Sequence, residues 1–501
     1  MKMNKNEEIA LNPNRLVQCL DKPAEDFTKK DMIKFIEENG IRMLNFRYIG
    51  GDGRLKTLNF VINNKRHLEH ILSTGERVDG SSLFTYIDAA SSDLYVVPRF
   101  KTAFINPFTD VPTLDLLCSY YTSEGKPLES SPENIVKKAH NVLKEKTGFT
   151  LEALGELEYY LLSEVDNIYP IIQQKGYHES HPFSKWGAIR IDAMTILSEM
   201  GGQVKYGHAE VGNIIHDDRE MVQHEIEFLP MPVEDAADQL VLAKWVLREV
   251  AYKYNLEVSF APKIIVGHAG SGLHIHSRLV KDGKNMMVDE DKKCLSDTAR
   301  RLIAGFLQLA PSLTAFGNTV PTSFLRLVPH QEAPTSICWG DRNRSVLVRV
   351  PLGWLGVDNM IADANPGEPP GEASAAMNSQ TVELRSPDGS ANVHQLLAGM
   401  AVAALRGLED KDSLKMAETL YVSTNASQRR DLHQLPASCW EAGDMLLKQR
   451  RFYEKYNVFP PPMTDKLAAD LKAHNDKDLS EKMFGNANAL KELVKRFIHC
   501  G

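Results

Sequence analysis

A short apolar segment with two alternating glutamates constrains this chain more than any other feature. Glu156 and Glu158 lie within Leu-Glu-Ala-Leu-Gly-Glu-Leu-Glu-Tyr-Tyr-Leu-Leu, residues 151–162. The period-two alternation predicts a buried strand, on which residues two apart point to the same face. Two carboxylates on one face repel each other, and burial requires a counter-charge. A divalent cation is the simplest counter-charge, although one such pair also fits an edge strand whose charged face meets water.

The same kind of alternation recurs in other strand-like segments. These segments carry His208 and Glu210, Glu225, His274 and His276, and Glu383 and Arg385. Together they predict a sheet whose inner face is lined with Glu, His and Arg. Carboxylate oxygens with an occasional imidazole suit Mg²⁺ or Mn²⁺ better than structural Zn²⁺, which favours Cys and His.

Length and composition limit the class of protein. A chain of 501 residues is too long for one simple core, so we expect two domains. The formal net charge of −8 disfavours a general nucleic-acid binder and a basic membrane-binding surface. The N-terminus lacks the apolar core of a signal peptide, and no run is long enough to cross a membrane. Six scattered cysteines without a Cys-x-x-Cys pair indicate free thiols in a reducing cytoplasm.

Local patterns divide the chain into a tail and two domains. Residues 1–27 are polar and predict a tail. A helix at 28–40, a hairpin around 50–54 and further strands predict a small α+β domain over 28–125. Residues 126–501 predict a larger domain of mixed strands and helices, with a helix at 131–147, a long loop at 353–380 and a mainly helical C-terminal part.

Several separated motifs resemble those of the glutamine synthetase family, the type I-like ligases that make glutamine from glutamate, ammonia and ATP. The motifs are Asp79-Gly-Ser-Ser82, Gly155-Glu-Leu-Glu-Tyr159, Lys175-Gly-Tyr177, Gly270-Ser-Gly-Leu-His-Ile-His276, 326–334, 342–351 and Glu383-Leu-Arg385. The resemblance implies an α+β fold with a small N-terminal β-grasp domain. It also implies a large catalytic domain in which an antiparallel sheet, flanked by helices, forms a metal-lined funnel.

The resemblance further implies roles for individual residues around two or three Mg²⁺ or Mn²⁺ ions per active site. One metal site would use Glu158, Glu210 and Glu225, and the other Glu156, His274 and Glu383. Glutamate would contact Glu158, Gly270, His274, Arg326 and Arg385. ATP would contact Lys205, His276, Arg344 and Arg349. Ammonium would lie among Asp79, Ser82, Tyr177, Glu210 and Glu332. The implied catalytic groups are Asp79, Glu332, Arg344 and Arg385.

The implied reaction joins ammonia to the γ-carboxylate of glutamate through a γ-glutamyl phosphate, with ATP as phosphoryl donor. Metals and arginines would hold the charge of the transferring group, Asp79 would take a proton from ammonium, and Glu332 would close the site. The Asp79 loop would come from a neighbouring subunit of a homo-oligomer, usually a double hexameric ring. Neither a nucleic acid nor a membrane is expected as a partner.

Departures from the family pattern leave alternatives open. Ala269 replaces an asparagine that holds the amino-acid end of glutamate, Thr381 replaces an arginine near the nucleotide, and 211–222 and 353–380 are lengthened. A γ-glutamyl–amine ligase of the same fold, acting on a polyamine or alkylamine, is therefore the main alternative. A metal-dependent amidohydrolase is less favoured because it leaves the Glu-rich ligands unused. A non-catalytic relative is disfavoured because all six implied metal ligands are present.

Overall fold

The computed structural model describes residue 9 and residues 11–87, 92–328, 333–353, 360–369, 379–483 and 486–501. Within these ranges the chain forms two large sheets, one in each half of a two-domain α+β architecture. Each sheet has its own hydrophobic core. None of the described helices combines the length and apolar character needed to cross a bilayer.

The N-terminal domain is built on a mixed sheet in the order β2-β1-β6-β4-β3, with β5 paired to β6. Its strands are β1 Met43–Ile49, β2 Leu55–Val61, β3 Glu76–Asp79, β4 Asp93–Pro98, β5 Phe104–Ile105 and β6 Thr113–Thr122. Its helices are α1 Arg15–Leu20, α2 Lys29–Glu38, α3 Lys65–Thr74 and α4 Gly80–Leu83. The predicted hairpin is the antiparallel pair β1 and β2, and the β1–β6 pair is parallel.

A capping box marks the N-terminus of the predicted helix after Thr28. The Thr28 side chain accepts a hydrogen bond from the backbone of Asp31, and the Asp31 carboxylate accepts one from the backbone of Thr28. Such a reciprocal capping box satisfies two backbone donors that the first helical turn leaves free. Helix α2 therefore begins next to the residue that the sequence indicates.

The segment predicted as a tail contributes to the N-terminal core. Helix α1 is capped by Asn14, whose side chain accepts a hydrogen bond from the backbone N–H of Leu16. Leu16 and Val17 are buried with the hydrophobic residues of α2 and the sheet. Residues 14–20 therefore belong structurally with the domain that follows, because Leu16, Val17 and the partly buried Leu20 dock this six-residue helix on that core.

The C-terminal domain is built on a sheet in the order β16-β17-β18-β12-β7-β9-β8. These strands are β7 Thr150–Glu164, β8 Val204–His216, β9 Arg219–Phe228, β12 Leu273–Lys281, β16 Trp339–Asp341, β17 Val348–Val350 and β18 Val382–Leu384. Short strands β10 Met231–Pro232 and β11 Glu257–Ser259 pair with β7, and β13 Lys284–Asn285 pairs with β12. Strands β14 Val288–Asp289 and β15 Cys294–Leu295 pair with each other. The sheet is antiparallel apart from the parallel pair β16 and β17.

Helices cover the outer face of this sheet and fill the rest of the domain. They are α5 Pro132–Thr147, α6 Gly187–Glu199, α7 Val233–Lys253, α8 Asp297–Gly317, α9 Ser323–Arg326, α10 Met360–Ala364, α11 Val393–Glu409, α12 Ser413–Thr419, α13 Cys439–Glu454, α14 Pro461–Ala473, α15 Leu479–Met483 and α16 Ala487–Phe497. Single 3-10 turns occur at Ala24–Asp26, Phe100–Thr102, Ala426–Gln428 and Lys455–Asn457. Helix α10 lies within the loop predicted at 353–380, of which 354–359 and 370–378 are outside the described residues.

The alternation of β7 and β12 decides which face of the sheet is apolar. Leu157 and Ile275 point away from the acidic face and are buried in the core with Leu240 of α7. Gly155 makes this close approach possible, since an added Cβ would lie 2.7 Å from a methyl group of Leu240. The opposite face of the same strands is therefore free to carry the polar side chains.

A buried ion pair joins the two domains. Arg99, which follows β4, donates from Nη1 to Asp238 Oδ2 at 2.6 Å and from Nη2 to Asp238 Oδ1 at 3.2 Å. His394 of α11 adds a 3.0 Å contact from Nε2 to Asp238 Oδ1. A second pair, Lys101 with Asp235, lies beside the first. The N-terminal sheet is thus anchored to two helices of the C-terminal domain.

Candidate active site

Strand register brings the alternating polar residues into three adjacent cross-strand rows. The first row contains His208, Glu225 and Glu158, the second Tyr206, Glu227, Glu156 and His274, and the third Leu154, His276, Glu383 and Arg349. Directly opposed residues in antiparallel strands have Cβ atoms about 5 Å apart. The predicted inner face of Glu, His and Arg side chains is therefore present on one sheet.

These rows line a cavity of about 1120 Å³. The implied site residues that line it are Glu156, Glu158, Tyr177, Lys205, Glu210, Glu225, Gly270, His274, His276, Arg326, Arg344, Arg349, Glu383 and Arg385. This volume exceeds that of most small-ligand pockets, which run to about 1,000 Å³. The cavity is large enough for a nucleotide and an amino acid together.

One cluster of possible metal ligands consists of Glu156, His276 and Glu383, with one donor atom from each lying within 4.8 Å of the others. His276 Nε2 lies 2.9 Å from Glu156 Oε1. His274 also contacts this cluster, since its Nδ1 lies 2.9 Å from Glu156 Oε2 and 3.6 Å from Glu383 Oε1. The cluster thus contains the set implied by the resemblance, with His276 in a ligand-like position as well.

The second cluster consists of His208, Glu210 and Glu225, again with donor atoms within 4.8 Å of one another. His208 Nε2 lies 3.2 Å from Glu225 Oε1. Glu158, implied as the third ligand here, lies directly opposite Glu225, and its Oε2 accepts hydrogen bonds from the backbone of Gly272 at 2.6 Å and from Gln223 at 3.3 Å. An imidazole therefore stands beside the two carboxylates.

A break in the ladder between β8 and β9 aims Glu210 into the cavity. The register shifts between Ala209 and Asn213, so the intervening residues bulge out of the pairing. Gly212 permits the bulge, because an added Cβ would lie 2.0 Å from Tyr160 Oη and 2.4 Å from Gln223 Oε1. Bulges commonly re-aim a side chain beside functional sites.

The electrostatics of the cavity favour a cation. Burial, reinforced by the negative charges of Glu156, Glu158, Glu210 and Glu227, raises the pKa of Glu225 well above its usual range. An acid with a raised pKa in an ionised cluster lacks sufficient counter-charge. The oxygen-rich donor set with imidazoles is one that binds Mg²⁺ or Mn²⁺. The residues present therefore fit divalent cations.

In the cluster of Glu156, His276 and Glu383, histidine contacts lower the pKa values of the carboxylates, the opposite of the shift at Glu225. Burial alone would raise the pKa of Glu156, but the charge of His276 and hydrogen bonds from His274 and His276 hold it well below its usual range. Burial likewise opposes ionisation of Glu383, yet the balance with His276, His274 and Arg385 lowers its pKa. Both carboxylates are thus held as anions, the form that binds a metal.

Arginines lie next to the acids in the cavity lining. Arg349 Nη1 donates to Glu383 Oε2 at 2.8 Å, and Arg385 Nε donates to Glu383 Oε1 at 3.0 Å. Arg385 also donates to the backbone oxygen of Arg344. Arg326 is buried, with Nη1 donating to Ser386 O at 2.9 Å. Planar guanidinium groups fixed in this way suit bidentate binding of carboxylate or phosphate.

Gly270 lets Arg326 approach the strand that carries the histidines. An added Cβ at Gly270 would lie 2.4 Å from Pro262 O and 3.2 Å from Arg326 Cγ. The neighbouring Ala269 has its backbone N–H bonded to Gln174 and its carbonyl oxygen bonded to Tyr160 Oη, both at 2.8 Å. Its methyl side chain offers no polar atom to an amino acid in the cavity.

Of the five implied ammonium residues, the four that the structure describes do not all line the cavity of their own chain. Tyr177 and Glu210 line the cavity, and Tyr177 is 53% exposed. Asp79 and Ser82 are outside the cavity lining, where Ser82 Oγ donates to Asp79 Oδ2 at 2.6 Å. Hydrogen bonds from Ser82 and Ser81 lower the pKa of Asp79. Glu332 lies outside the described residues.

Two polar residues of β9 were not among the predicted site residues. Glu227 is buried, lines the cavity and accepts a 2.6 Å hydrogen bond from Lys205. Gln223 binds Glu158 and the carbonyl oxygen of Gly270. Period-two spacing from Glu225 in both directions is the sequence signal that indicates them. Thr381, which precedes β18, contacts Nδ1 of His276 at 2.9 Å.

Comparisons with known proteins agree with this geometry. Models of the glutamine synthetase catalytic domain and the glutamine synthetase beta-Grasp domain match residues 129–481 and 40–123. Glutamine synthetase of Clostridium saccharobutylicum is 31% identical over 426 residues, covering 83% of this chain and 88% of the relative. That of Staphylococcus aureus strain Mu50 is 31% identical over 434 residues, covering 84% and 89%.

Solved structures share the fold. The cryo-EM structure of Plasmodium falciparum glutamine synthetase superposes with a TM-score of 0.73 at 18% identity, covering 93% of this chain and 98% of the other. A GmaS complex with ADP gives a TM-score of 0.68 at 18% identity, covering 90% and 96%. With both domain models matched over most of its length, this chain belongs to the glutamine synthetase family of ligases.

Proposed function

We propose that this protein joins ammonia to the γ-carboxylate of glutamate, using ATP and forming a γ-glutamyl phosphate. The observation that carries the proposal is the meeting of two acid–imidazole clusters with Arg326, Arg344, Arg349 and Arg385 in one cavity. A carboxylate is a poor electrophile, so an amide can form only after activation. Phosphoryl transfer needs mainly positioning and charge stabilisation, which such a cavity supplies.

Each step has residues suited to it. Arg326 would hold the α-carboxylate of glutamate, while Arg344 and Arg349 would neutralise the phosphoryl group as it leaves ATP for a γ-carboxylate oxygen. Ammonia would then attack the acyl carbon, and the C–O bond to phosphate would break. Divalent cations at the two clusters would supply Lewis-acid stabilisation of the phosphate and carboxylate oxygens. Glu332 would shield the acyl phosphate from water.

The remaining acceptor groups would come from a second copy of the chain. Asp79 and Ser82 lie outside the cavity lining of their own chain. In a ring, usually a double hexamer, the Asp79 loop would complete the site of a neighbouring subunit. Asp79 stays ionised because its serine partners lower its pKa, and an anion is what a group that draws a proton from ammonium must be.

A hydroxamate assay tests the proposal directly. Glutamate, hydroxylamine and Mg-ATP should yield γ-glutamyl hydroxamate with the wild-type protein. Arg344→Ala should reduce the rate by about 10³-fold or more, the range seen for arginines that stabilise a transferring phosphoryl group. Arg429→Ala is the matched control, since Arg429 is outside the cavity and pairs with the exposed Asp431. A wild-type protein that binds ATP yet forms no hydroxamate would overturn the proposal.

An alkylamine or polyamine is the alternative acceptor. Ala269 favours it, because this position differs from the family pattern and its side chain has no polar atom for glutamate. ADP release with glutamate should be compared for ammonium, methylamine and putrescine at equal free-base concentration. A kcat/KM for ammonium at least about tenfold above both amines, or about 1.4 kcal/mol, supports glutamine formation. The reverse ranking assigns the amine ligase, and ATP-independent amide hydrolysis would favour the hydrolase.

A further inference from the structure

We propose that His208 is a nitrogen ligand of the cation held by Glu210 and Glu225, which makes this site selective for transition ions such as Mn²⁺ and Co²⁺ over Mg²⁺. The inference rests on the proposed cation clusters and not on the identity of the substrate. It concerns a residue that the resemblance leaves without a role.

Backbone register brings His208 and Glu225 together. The two residues are directly opposed on β8 and β9, so their proximity follows from strand pairing and not from one side-chain rotamer alone. His208 Nε2 lies 3.2 Å from Glu225 Oε1. Two donors about 2.1 Å from one ion and separated by this distance subtend roughly 100°. That angle is close to the one between neighbouring ligands of a six- or four-coordinate ion.

The other ring nitrogen has a partner that fixes its protonation. His208 Nδ1 lies 2.9 Å from the carbonyl oxygen of Ala209. A carbonyl oxygen can only accept a hydrogen bond, so Nδ1 carries the proton and the lone pair of the neutral ring is on Nε2. Metal-ligating histidines almost always donate their second N–H in this manner. The imidazole therefore presents its lone pair to the acidic cavity.

Neighbouring groups hold this orientation in place. The backbone N–H of His178 donates to the same Ala209 oxygen at 2.9 Å. The centroid of the His178 ring lies 4.3 Å from that of the His208 ring. The centroid of the Tyr177 ring lies 5.6 Å from it, in an edge-to-face arrangement. A pre-oriented ligand loses less conformational entropy on binding a metal. The His208 ring is thus positioned before any ion arrives.

The pair of His208 and Glu225 needs a positive charge between its facing atoms. A lone pair and a carboxylate oxygen 3.2 Å apart repel each other unless a cation or a proton lies between them. A proton would make the pair a simple ion pair. A metal ion would instead be shared by His208, Glu225 and Glu210, three residues that each offer one donor atom within 4.8 Å of the other two.

Nitrogen donation has a predictable effect on ion preference. Mg²⁺ favours oxygen ligands, whereas affinity at sites with nitrogen donors rises from Mn²⁺ to Co²⁺ along the first transition row. Losing the imidazole should therefore weaken Co²⁺ most, Mn²⁺ next and Mg²⁺ least. A simple ion pair predicts the opposite, because removing a cationic imidazole would strengthen the binding of every cation.

Direct binding to the full-length protein, without substrates, separates these cases. Isothermal titration with Mg²⁺, Mn²⁺ and Co²⁺ should show that His208→Gln lowers affinity for Co²⁺ at one class of sites by at least about tenfold, with a smaller loss for Mn²⁺ and little for Mg²⁺. Electron spin-echo spectra of bound Mn²⁺ should lose part of their ¹⁴N modulation in the variant. His216→Gln, at the exposed end of the same strand, is the matched control and should change neither readout.

A folding control and a second variant keep the test decisive. A circular dichroism melt of His208→Gln should match that of the wild type without metal, and His208→Asn replaces it if the first variant is unfolded. Equal changes for all three ions, stronger binding of all three, or unchanged ¹⁴N modulation would each overturn the proposal. Failure of ligase activity would leave these binding results intact, so the two proposals fail separately.

Discussion

The ion pair between Arg99 and Asp238 makes the junction of the two domains a sensitive point for stability. We expect Asp238→Ala to lower the free energy of unfolding because it leaves the Arg99 guanidinium beside a cavity with no acid to bind. Asp238 is 5% exposed. Its two carboxylate oxygens accept hydrogen bonds from Nη1 and Nη2 of Arg99, and one of them also contacts Nε2 of His394. Removing one partner of a buried pair typically costs about 3–5 kcal/mol. Since the Arg99 side chain keeps 21% exposure, water can solvate part of it, and the lower end, about 3 kcal/mol, applies.

A double-mutant cycle isolates the pair from the other contacts of each residue. Arg99→Met should also be destabilising, whereas Arg99→Met combined with Asp238→Leu should cost clearly less than the sum of the single changes. Urea unfolding followed by far-UV circular dichroism gives the midpoints. The exposed pair Arg429 and Asp431 is a control with the same two-pronged geometry. Its disruption should leave the midpoint unchanged, because water competes for exposed ions.

The pH dependence of this effect has a definite sign. Burial alone would raise the pKa of Asp238, but the charge of Arg99 and the His394 hydrogen bond hold it below its usual value of 3.8. An acid with a lowered folded-state pKa stabilises the fold above its unfolded-state pKa and loses this effect as the pH falls through the folded value. The difference between wild type and Asp238→Ala should therefore stay constant from about pH 8 to pH 5 and shrink below about pH 4. An unchanged midpoint for Asp238→Ala, or a difference that grows on acidification, would refute the reasoning.

Three other perturbations have outcomes set by the structure. Gly212→Ala should displace Glu210, because its Cβ would lie 2.0 Å from Tyr160 Oη, and calorimetry should find cation affinity lowered by about tenfold or more. Adding Mg²⁺ or Mn²⁺ at about 100 times Kd to metal-free protein should stabilise it by about 2.7 kcal/mol in a thermal melt, and Glu225→Gln should reduce the gain. Burial lowers the pKa of His474, so stability should fall as the pH drops below about 6.5, and His474→Asn should flatten that slope in urea titrations. An unaltered affinity, an equal gain or an equal slope would contradict the respective prediction.

The polar face of the large sheet could be predicted because it depends only on local alternation. Glu156 and Glu158 share a face on any strand, whatever that strand pairs with. The same reasoning identified the acids and imidazoles of β8, β9, β12 and β18, which the structure brings into one cavity. Glu227, two residues after Glu225 on the same strand, follows the same alternation, but it was not predicted as a site residue.

Register and neighbour order could not be obtained from alternation. Strand β7 pairs with β12 more than a hundred residues later, and no local pattern states whether Glu156 lies opposite His274 or another residue. Register is decided by the packing of the apolar face and by bulges such as the one at Gly212, which act only in the assembled sheet. That is why the place of His208 beside Glu225, with Glu158 on the opposite side of Glu225, could not be predicted.

Helix α1 could not be predicted from the sequence for a different reason. Residues 1–27 are polar overall and contain Asn-Pro-Asn and Lys-Pro, so composition favoured a tail. Short helices have little stability of their own, and tertiary contacts decide whether they form. Leu16 and Val17 dock against a core whose position depends on the distant sheet, information that a six-residue segment does not contain by itself.

The cross-strand rows imply an order of events in the cavity. Glu156 and Glu158 are two residues apart on β7, and Glu225 and Glu227 are two apart on β9, so the carboxylates of the first and second rows repel one another. An anionic substrate, such as the proposed glutamate or ATP, would meet this repulsion unless cations arrived first or accompanied it. Arg349 and Arg385 already bind Glu383, and a cation at that cluster would compete for the carboxylate and leave both guanidinium groups available to phosphate. Metal binding would thus convert one cavity from a site that repels anions into one that attracts them.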